Sequence, residues 1–265
     1  MRLSVFGCGN MGSAVVRAFR ENEPSLEILT YSPSGSSAQK LAKAVKGFQQ
    51  GQIKSMFPCD FALLAMKPQQ LATFVDQAAE FFTPQTVIVS LLAGVDIATL
   101  QSKLKCDQIL RLMPNTPTLV GKGIITYTTS TEMNRDSLSK VLSWLSSSAK
   151  LFKMKDEDQL NRTMGVCASG PGLLFELAHQ FHKKLVADGL TEKESRLMVA
   201  ELFAGSGELM LGSVETFEEL RNNVTSKGGV TEASLQVLSS NNQFASLLDQ
   251  ALEANYRRSQ EIITD

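Results

Sequence analysis

Histidine is nearly absent from this chain: His179 and His182 are the only two in 265 residues. They stand three apart on a helical stretch with no cysteine or acid at ligand spacing. Metal binding is therefore not expected, and neither is a Ser-His-Asp or Cys-His hydrolase. The four cysteines, Cys8, Cys59, Cys106 and Cys167, are far apart and form no C-x-x-C pair. Such a pattern argues against a disulfide framework and for reduced thiols in the cytoplasm. No apolar run is long enough to span a bilayer, and no charged-then-apolar leader precedes the first strand pattern. A net charge of −1 offers no attraction to nucleic acid or an anionic membrane. What remains is a chain with 43% hydrophobic residues, long enough for one large or two ordinary domains.

The first half reads as α/β. A short β-type run, residues 2–6, leads into Gly7-Cys8-Gly9-Asn10-Met11-Gly12 and then a helical pattern with Val15, Val16 and Phe19 on one side. In G-x-G-x-x-G the first glycine makes the tight turn, the second admits a pyrophosphate to the backbone, and the third lets helix and strand pack. Dinucleotide binding is the expectation; a glycine-rich turn of an unliganded domain is the alternative. The second strand, 26–31, ends in Ser32-Pro33-Ser34-Gly35-Ser36-Ser37. An acid there would hold a ribose 2′-hydroxyl; small hydroxyls and Lys40 suit a 2′-phosphate instead. NADPH is favoured, and with no arginine in the loop NADH stays open. Apolar runs at 61–66, 86–92 and 108–113, separated by helix-length segments, imply a doubly wound parallel sheet. Ligands sit beyond the carboxyl ends of such strands. Here those ends are Gly7–Gly12, Ser32, Met66–Pro68, Leu92–Gly94 and Pro114-Asn115-Thr116-Pro117. The two prolines of the last are expected to forbid a helix and pin a rigid wall. Further strands are expected at 124–128 and 149–153, with a helix near 136–145 whose Trp144 packs on the sheet.

After about residue 155 the β pattern stops, so the expected domains are 1–155, Rossmann-like, and 156–265, all-α. The helical half breaks at Ala168-Ser169-Gly170-Pro171-Gly172 and restarts with the capping-box spacing Thr191 to Glu194. A small-residue face, Ala204-Gly205-Ser206-Gly207, and scarce large aromatics suit a bundle completed by dimerisation. Near its end stands Val224-Thr225-Ser226-Lys227-Gly228-Gly229-Val230-Thr231-Glu232-Ala233-Ser234-Leu235. Two glycines before a helix let the backbone approach a ligand, and the helix start favours a carboxylate. The plainer alternative is a turn followed by a helix capped by Thr231.

Taken together, Phe6–Gly12, Ala65-Met66-Lys67-Pro68-Gln69, Met113-Pro114-Asn115-Thr116-Pro117, Ser169-Gly170-Pro171 and the V-T-S-K-G-G-x-T core resemble pyrroline-5-carboxylate reductases over nearly the whole chain. The resemblance implies a Rossmann-like domain and a helical domain that dimerises, or builds larger homo-oligomers on dimers, with active sites at the dimer interface. It implies hydride transfer from NAD(P)H to the cyclic imine 1-pyrroline-5-carboxylate, giving L-proline, the last step of proline biosynthesis. By the same resemblance Thr231 bonds the ring nitrogen and relays its proton. Ser226 and backbone groups of Gly228, Gly229, Val230 and Thr231 hold the carboxylate. Pro68, Ala93 and Asn115 border the nicotinamide. Departures from the family pattern at Cys167-Ala168 and Gly172-Leu173, and at Gln52, Asn222 and Val230, leave open a paralogue acting on another cyclic imine or a non-catalytic dinucleotide sensor. A β-hydroxyacid dehydrogenase with Lys183 or Lys227 as acid/base shares the domain plan, but the Gly-Gly-x-Thr motif argues against it.

Overall fold

The computed structural model describes residues 1–262. Its first part alternates strand and helix: β1 (Arg2–Phe6), α1 (Asn10–Asn22), β2 (Glu27–Tyr31), α2 (Ser36–Val45), β3 (Phe48–Gln49), β4 (Phe61–Leu64), α3 (Leu71–Ala78), β5 (Val87–Ser90), α4 (Ile97–Leu104), β6 (Ile109–Pro114), β7 (Gly123–Thr129), α5 (Arg135–Leu145) and β8 (Ala149–Lys153). The strands form one sheet in the order β3-β2-β1-β4-β5-β6-β7-β8. Every residue of β4, β5 and β6 is buried, as strands covered on both faces must be. One face carries α1, α2 and α5 through Val15, Phe19, Leu41, Val141 and Trp144. The other carries α3 and α4 through Leu71, Phe74, Leu100 and Leu104. Trp144 meets Phe19 of α1 at 5.3 Å and Phe61 of β4 at 4.9 Å between ring centroids, both edge-on.

Two features differ from the expectation. All pairings are parallel except β6 with β7, which is antiparallel. The link between them, 115–122, is too short for a crossover helix, so the chain returns alongside. The starts of β7 and β8 therefore share an edge with the ends of the parallel strands. Nor do the prolines forbid a helix: Thr116–Val120 is a 3-10 turn with Pro117 in its first turn. Proline lacks an N–H that this position would leave unbonded anyway.

Helix α4 opens beside the Ala93-Gly94 loop, where Asp96 accepts a hydrogen bond from the N–H of Thr99 at 2.7 Å. Asp96→Ala should cost about 1 kcal/mol and lower Tm by about 2–4 °C. An unchanged calorimetric Tm would remove the cap from the account.

The remaining helices are α6 (Glu157–Cys167), α7 (Gly170–Ala187), α8 (Glu192–Gly212), α9 (Phe217–Asn223), α10 (Val230–Ser239) and α11 (Gln243–Glu261). The second domain expected over 156–265 runs past the described residues, and 263–265 lie outside them. By compactness the chain divides into Met1–Pro171 with the stretch from Ala254 on, and Gly172–Glu253. The strand pattern ends before residue 156, yet α6 goes with the first unit because Leu160 and Met164 pack on Met113. The second unit buries little: Phe175, Leu209, Leu211 and Phe217 of α7, α8 and α9 are exposed, and Val199 is a rare buried side chain. No helix among the described residues is long and apolar enough to cross a membrane.

Candidate functional site

The three glycines after β1 do different work. Gly7 has φ +93°, and a Cβ there would lie 2.4 Å from the backbone nitrogen of Met66. Gly12 would place a Cβ 2.7 Å from that of Ala65. Both are demanded by the packing of α1 against the β1–β4 pair, which is where Ala65 and Met66 enter the site. A Cβ on Gly9 would meet nothing within 4 Å. The fold leaves that space open on the side where a ligand would approach. Gly9 is also the N-cap of α1, without a side-chain cap, and no acid stands in the first turn, which begins Asn10-Met11. Unbonded N–H groups and the helix dipole there suit a pyrophosphate. Cys8, between the glycines, is pushed up to about 11 by burial, so the thiol adds no negative charge at neutral pH.

Beside this turn lies a cavity of about 310 Å³ lined by Gly7, Tyr31, Pro33, Ile53, Met66 and Phe74, among others. Its apolar walls at the ends of β1, β2 and β4 fit the adenosine end of a dinucleotide. Ser32 is buried, and its Oγ accepts from the N–H of Ala38 at 3.2 Å and from Ser37 Oγ at 2.9 Å. Ser32 thus shapes the start of α2, with one hydroxyl proton left to donate. Beyond it, the exposed Ser34 and Ser36 hydroxyls stand 3.3 Å apart at a helix start without an acid. This arrangement fits a 2′-phosphate.

Lys67 and Pro68 open the 3-10 turn before α3, the Lys67 N–H donating to Gln70 Oε1 at 3.1 Å. Ala93 packs with Met113, Leu160 and Met164 at the ends of β5 and β6. Asn115 is buried, and both ends of its amide make a hydrogen bond. Nδ2 donates to the Cys167 carbonyl and Oδ1 accepts from the Ile124 N–H, each at 2.9 Å. These bonds hold the loop in place and leave one Nδ2 proton free of them.

Arg111, buried completely in β6 and paired with Glu157 of α6, was missed in the sequence. Its signal was present: one charge in the middle of an apolar run.

The second unit carries the Gly-Gly motif. Gly228 has φ +72°. Gly229, whose Cβ would lie 2.4 Å from Ser226 Oγ, is the N-cap of α10. Thr231 is therefore the second residue of the helix and not its cap, because the turn from Ser226 to Gly229 closes first, at 2.9 Å. The Gly228 N–H donates to Glu232 Oε2 at 2.7 Å, and Gly229 donates to Ser226. The first intrahelical bond, from Ala233 to Gly229, leaves the N–H groups of Val230 and Thr231 ahead of it. The hydroxyls of Ser226 and Thr231 make no hydrogen bond within the described residues. Together these groups form a donor set for a small carboxylate. Lys183 and Lys227 are exposed. The half-buried His182 has its ring nitrogens 2.8 Å from Ser195 Oγ and 2.7 Å from Glu192 Oε2, tying α7 to α8. Among the described residues no group of three His, Cys, Asp or Glu is placed to hold a metal ion.

With this geometry in view, known proteins place the chain. Residues 157–262 match the family model for pyrroline-5-carboxylate reductase dimerisation. Residues 2–94 match the model described as NADP oxidoreductase, coenzyme F420-dependent. The pyrroline-5-carboxylate reductase of Haemophilus influenzae is 26% identical over 265 residues, covering 99% of this chain and 97% of that protein. That of Pasteurella multocida is 28% identical over 263 residues, covering 97% and 95%. Among solved structures, Plasmodium falciparum pyrroline carboxylate reductase with NADP bound superposes with a TM-score of 0.87 at 22% identity, covering 99% of this chain and 98% of that one. The Streptococcus pyogenes 1-pyrroline-5-carboxylate reductase gives 0.86 at 19% identity, covering 98% of each. A dimerisation module in the helical half is the mark of a homo-oligomer. The nucleotide half, the dimerisation half and end-to-end relatives agree, and the chain belongs to the pyrroline-5-carboxylate reductase family.

Proposed function

We propose that this protein reduces 1-pyrroline-5-carboxylate to L-proline with NADPH. The observation that carries the reading is the start of α10, where a Gly-Gly turn leaves backbone donors and two hydroxyls unused. Bound NADPH supplies the hydride. The N–H groups at Gly9, Asn10 and Met11 hold its pyrophosphate, Ser34 and Ser36 its 2′-phosphate, and the cavity beside Tyr31 its adenosine. Pro68, Ala93 and the Asn115 loop border the nicotinamide. Ser226 with the N–H groups of Val230 and Thr231 holds the substrate carboxylate. The Thr231 hydroxyl bonds the ring nitrogen and passes its proton. A protonated imine is already an electrophile, so alignment carries most of the burden and no strong acid is needed. Two copies cover the exposed apolar faces of α7, α8 and α9, giving a homodimer or a larger assembly built on dimers. The four free cysteines suit the cytoplasm.

Purified protein given 1-pyrroline-5-carboxylate should consume NADPH, followed by loss of its absorbance, with proline appearing in step. NADH should react about tenfold or more slowly, the 2′-phosphate contacts being worth at least ~1.4 kcal/mol. Folded protein that binds NADPH yet consumes none with this imine would overturn the reading in favour of a dinucleotide sensor.

A further inference from the structure

Arg111 heads the fully buried side chains by size. A guanidinium in the middle of an apolar strand must be matched by charge and by hydrogen bonds. Glu157, the first residue of α6, accepts from Nη1, and Asn161, one turn on, accepts from Nη2 at 3.3 Å. The same Glu157 Oε1 accepts the N–H of Ile97, the first residue of α4, at 3.0 Å. One carboxylate oxygen therefore joins β6, α6 and α4.

The neighbours of this joint give it a purpose. The chain just before Ile97 is the Ala93-Gly94 loop. Ala93 rests on Met113, two residues along β6 from Arg111, and on Leu160 and Met164 of α6. The far end of α6 is held by Asn115, whose Nδ2 meets the Cys167 carbonyl. Helix α6 thus lies between the two loops that border the nicotinamide in the function proposed above, and Arg111 sets where it starts. An apolar side chain would fill the same space. It would not fix direction, which is what hydrogen-bonded charge adds to a packed interior, generally without net stability.

We infer that Arg111 and Glu157 are positioning residues for hydride transfer. They act through Ile97 and α6 on the Ala93-Gly94 and Asn115 loops, and hold neither cofactor nor substrate. The inference rests on the reductase reading. Three variants test it: Glu157→Gln, Glu157→Ala, and the double replacement Arg111→Met with Glu157→Leu, which removes both charges and keeps the packing. The rate read is single-turnover oxidation of bound NADPH by 1-pyrroline-5-carboxylate, per NADPH-binding site. It should fall about 10- to 100-fold in Glu157→Ala, the loss expected of a displacement near 1 Å, and less in Glu157→Gln. NADPH Kd should stay within about twofold in all three. The double variant should recover the melting temperature without recovering the rate. A stable double variant with the wild-type rate would reduce the pair to a structural contact, and a Kd that rises as the rate falls would make it a cofactor anchor; either overturns the inference. Wild-type protein that oxidises no NADPH with the imine would instead overturn the functional reading first.

Discussion

Gly9→Val should remove NADPH binding and leave the fold intact. The two effects separate at this glycine because the chain itself leaves its side-chain direction empty: a Cβ there meets no atom within 4 Å. Its φ of −73° and extended ψ are open to any residue. The fold therefore bears only the loss of an N-cap glycine, about 1 kcal/mol or less. A ligand on the N–H groups of α1 occupies that same space, and a valine side chain would hold a pyrophosphate away from them. Losing those charge-assisted bonds together should weaken Kd by about 10³-fold, or ~4 kcal/mol. Gly7 offers no such separation. With φ +93° and the Met66 nitrogen 2.4 Å from its missing Cβ, any substitution there strains the β1–β4 junction before a ligand is considered. Calorimetric titration with NADPH, beside thermal unfolding of the unliganded variant, reads both quantities. Wild-type affinity in a folded Gly9→Val protein would mean that the pyrophosphate does not lie on this turn.

The parts of this architecture that show in the sequence are those that leave a local pattern. Glycine spacing, apolar runs buried on both faces and the spacing of Thr191 to Glu194 can each be read within a few residues, even though what demands Gly7 and Gly12 is contact with Met66 and Ala65 on a distant strand end. The direction of β7 does not, because alternation of side chains is the same in parallel and antiparallel strands; only the shortness of the 115–122 link hints at it. The two-residue β3 is too brief for any period to register. Arg111 is a charge in an apolar run, but its partner lies 46 residues on, and no pattern joins them. Asn115 shows a second kind of hidden partner. A polar residue on a proline-bounded loop looks wholly available to a ligand, yet the Cys167 carbonyl and the Ile124 N–H, 52 and 9 residues away, each take part of its amide. In the second unit the period of the helices is legible and their burial is not. Phe175, Leu209, Leu211 and Phe217 of α7, α8 and α9 remain outside, where a second copy would cover them.

The candidate proton-relay residue allows a sharper test than the cofactor turn, because its hydroxyl does nothing else in the structure. Thr231 sits in the first turn of α10, partly exposed, and its hydroxyl makes no hydrogen bond to any described residue. Its replacement by alanine removes no contact that holds the protein together, so Tm should be nearly unchanged; alanine is also the better helix former. The groups assigned to NADPH all belong to the first unit and Thr231 to the second, so NADPH Kd should not move. Turnover should. A hydroxyl that holds the imine nitrogen and relays the proton that keeps it an electrophile takes part in a positioned proton transfer, typically worth about 10²–10⁴ in rate. Thr231→Ala is accordingly expected to lower kcat by about 10²–10³-fold, and Thr231→Ser, which returns the hydroxyl without the methyl, to recover it to within about tenfold. The serine variant distinguishes lost chemistry from a disturbed helix start, since both changes remove the same methyl group. Wild-type kcat in Thr231→Ala would assign the proton to solvent and reduce Thr231 to a neighbour of the carboxylate. Equal loss in both variants would place the effect in the threonine methyl, which keeps the hydroxyl in one rotamer.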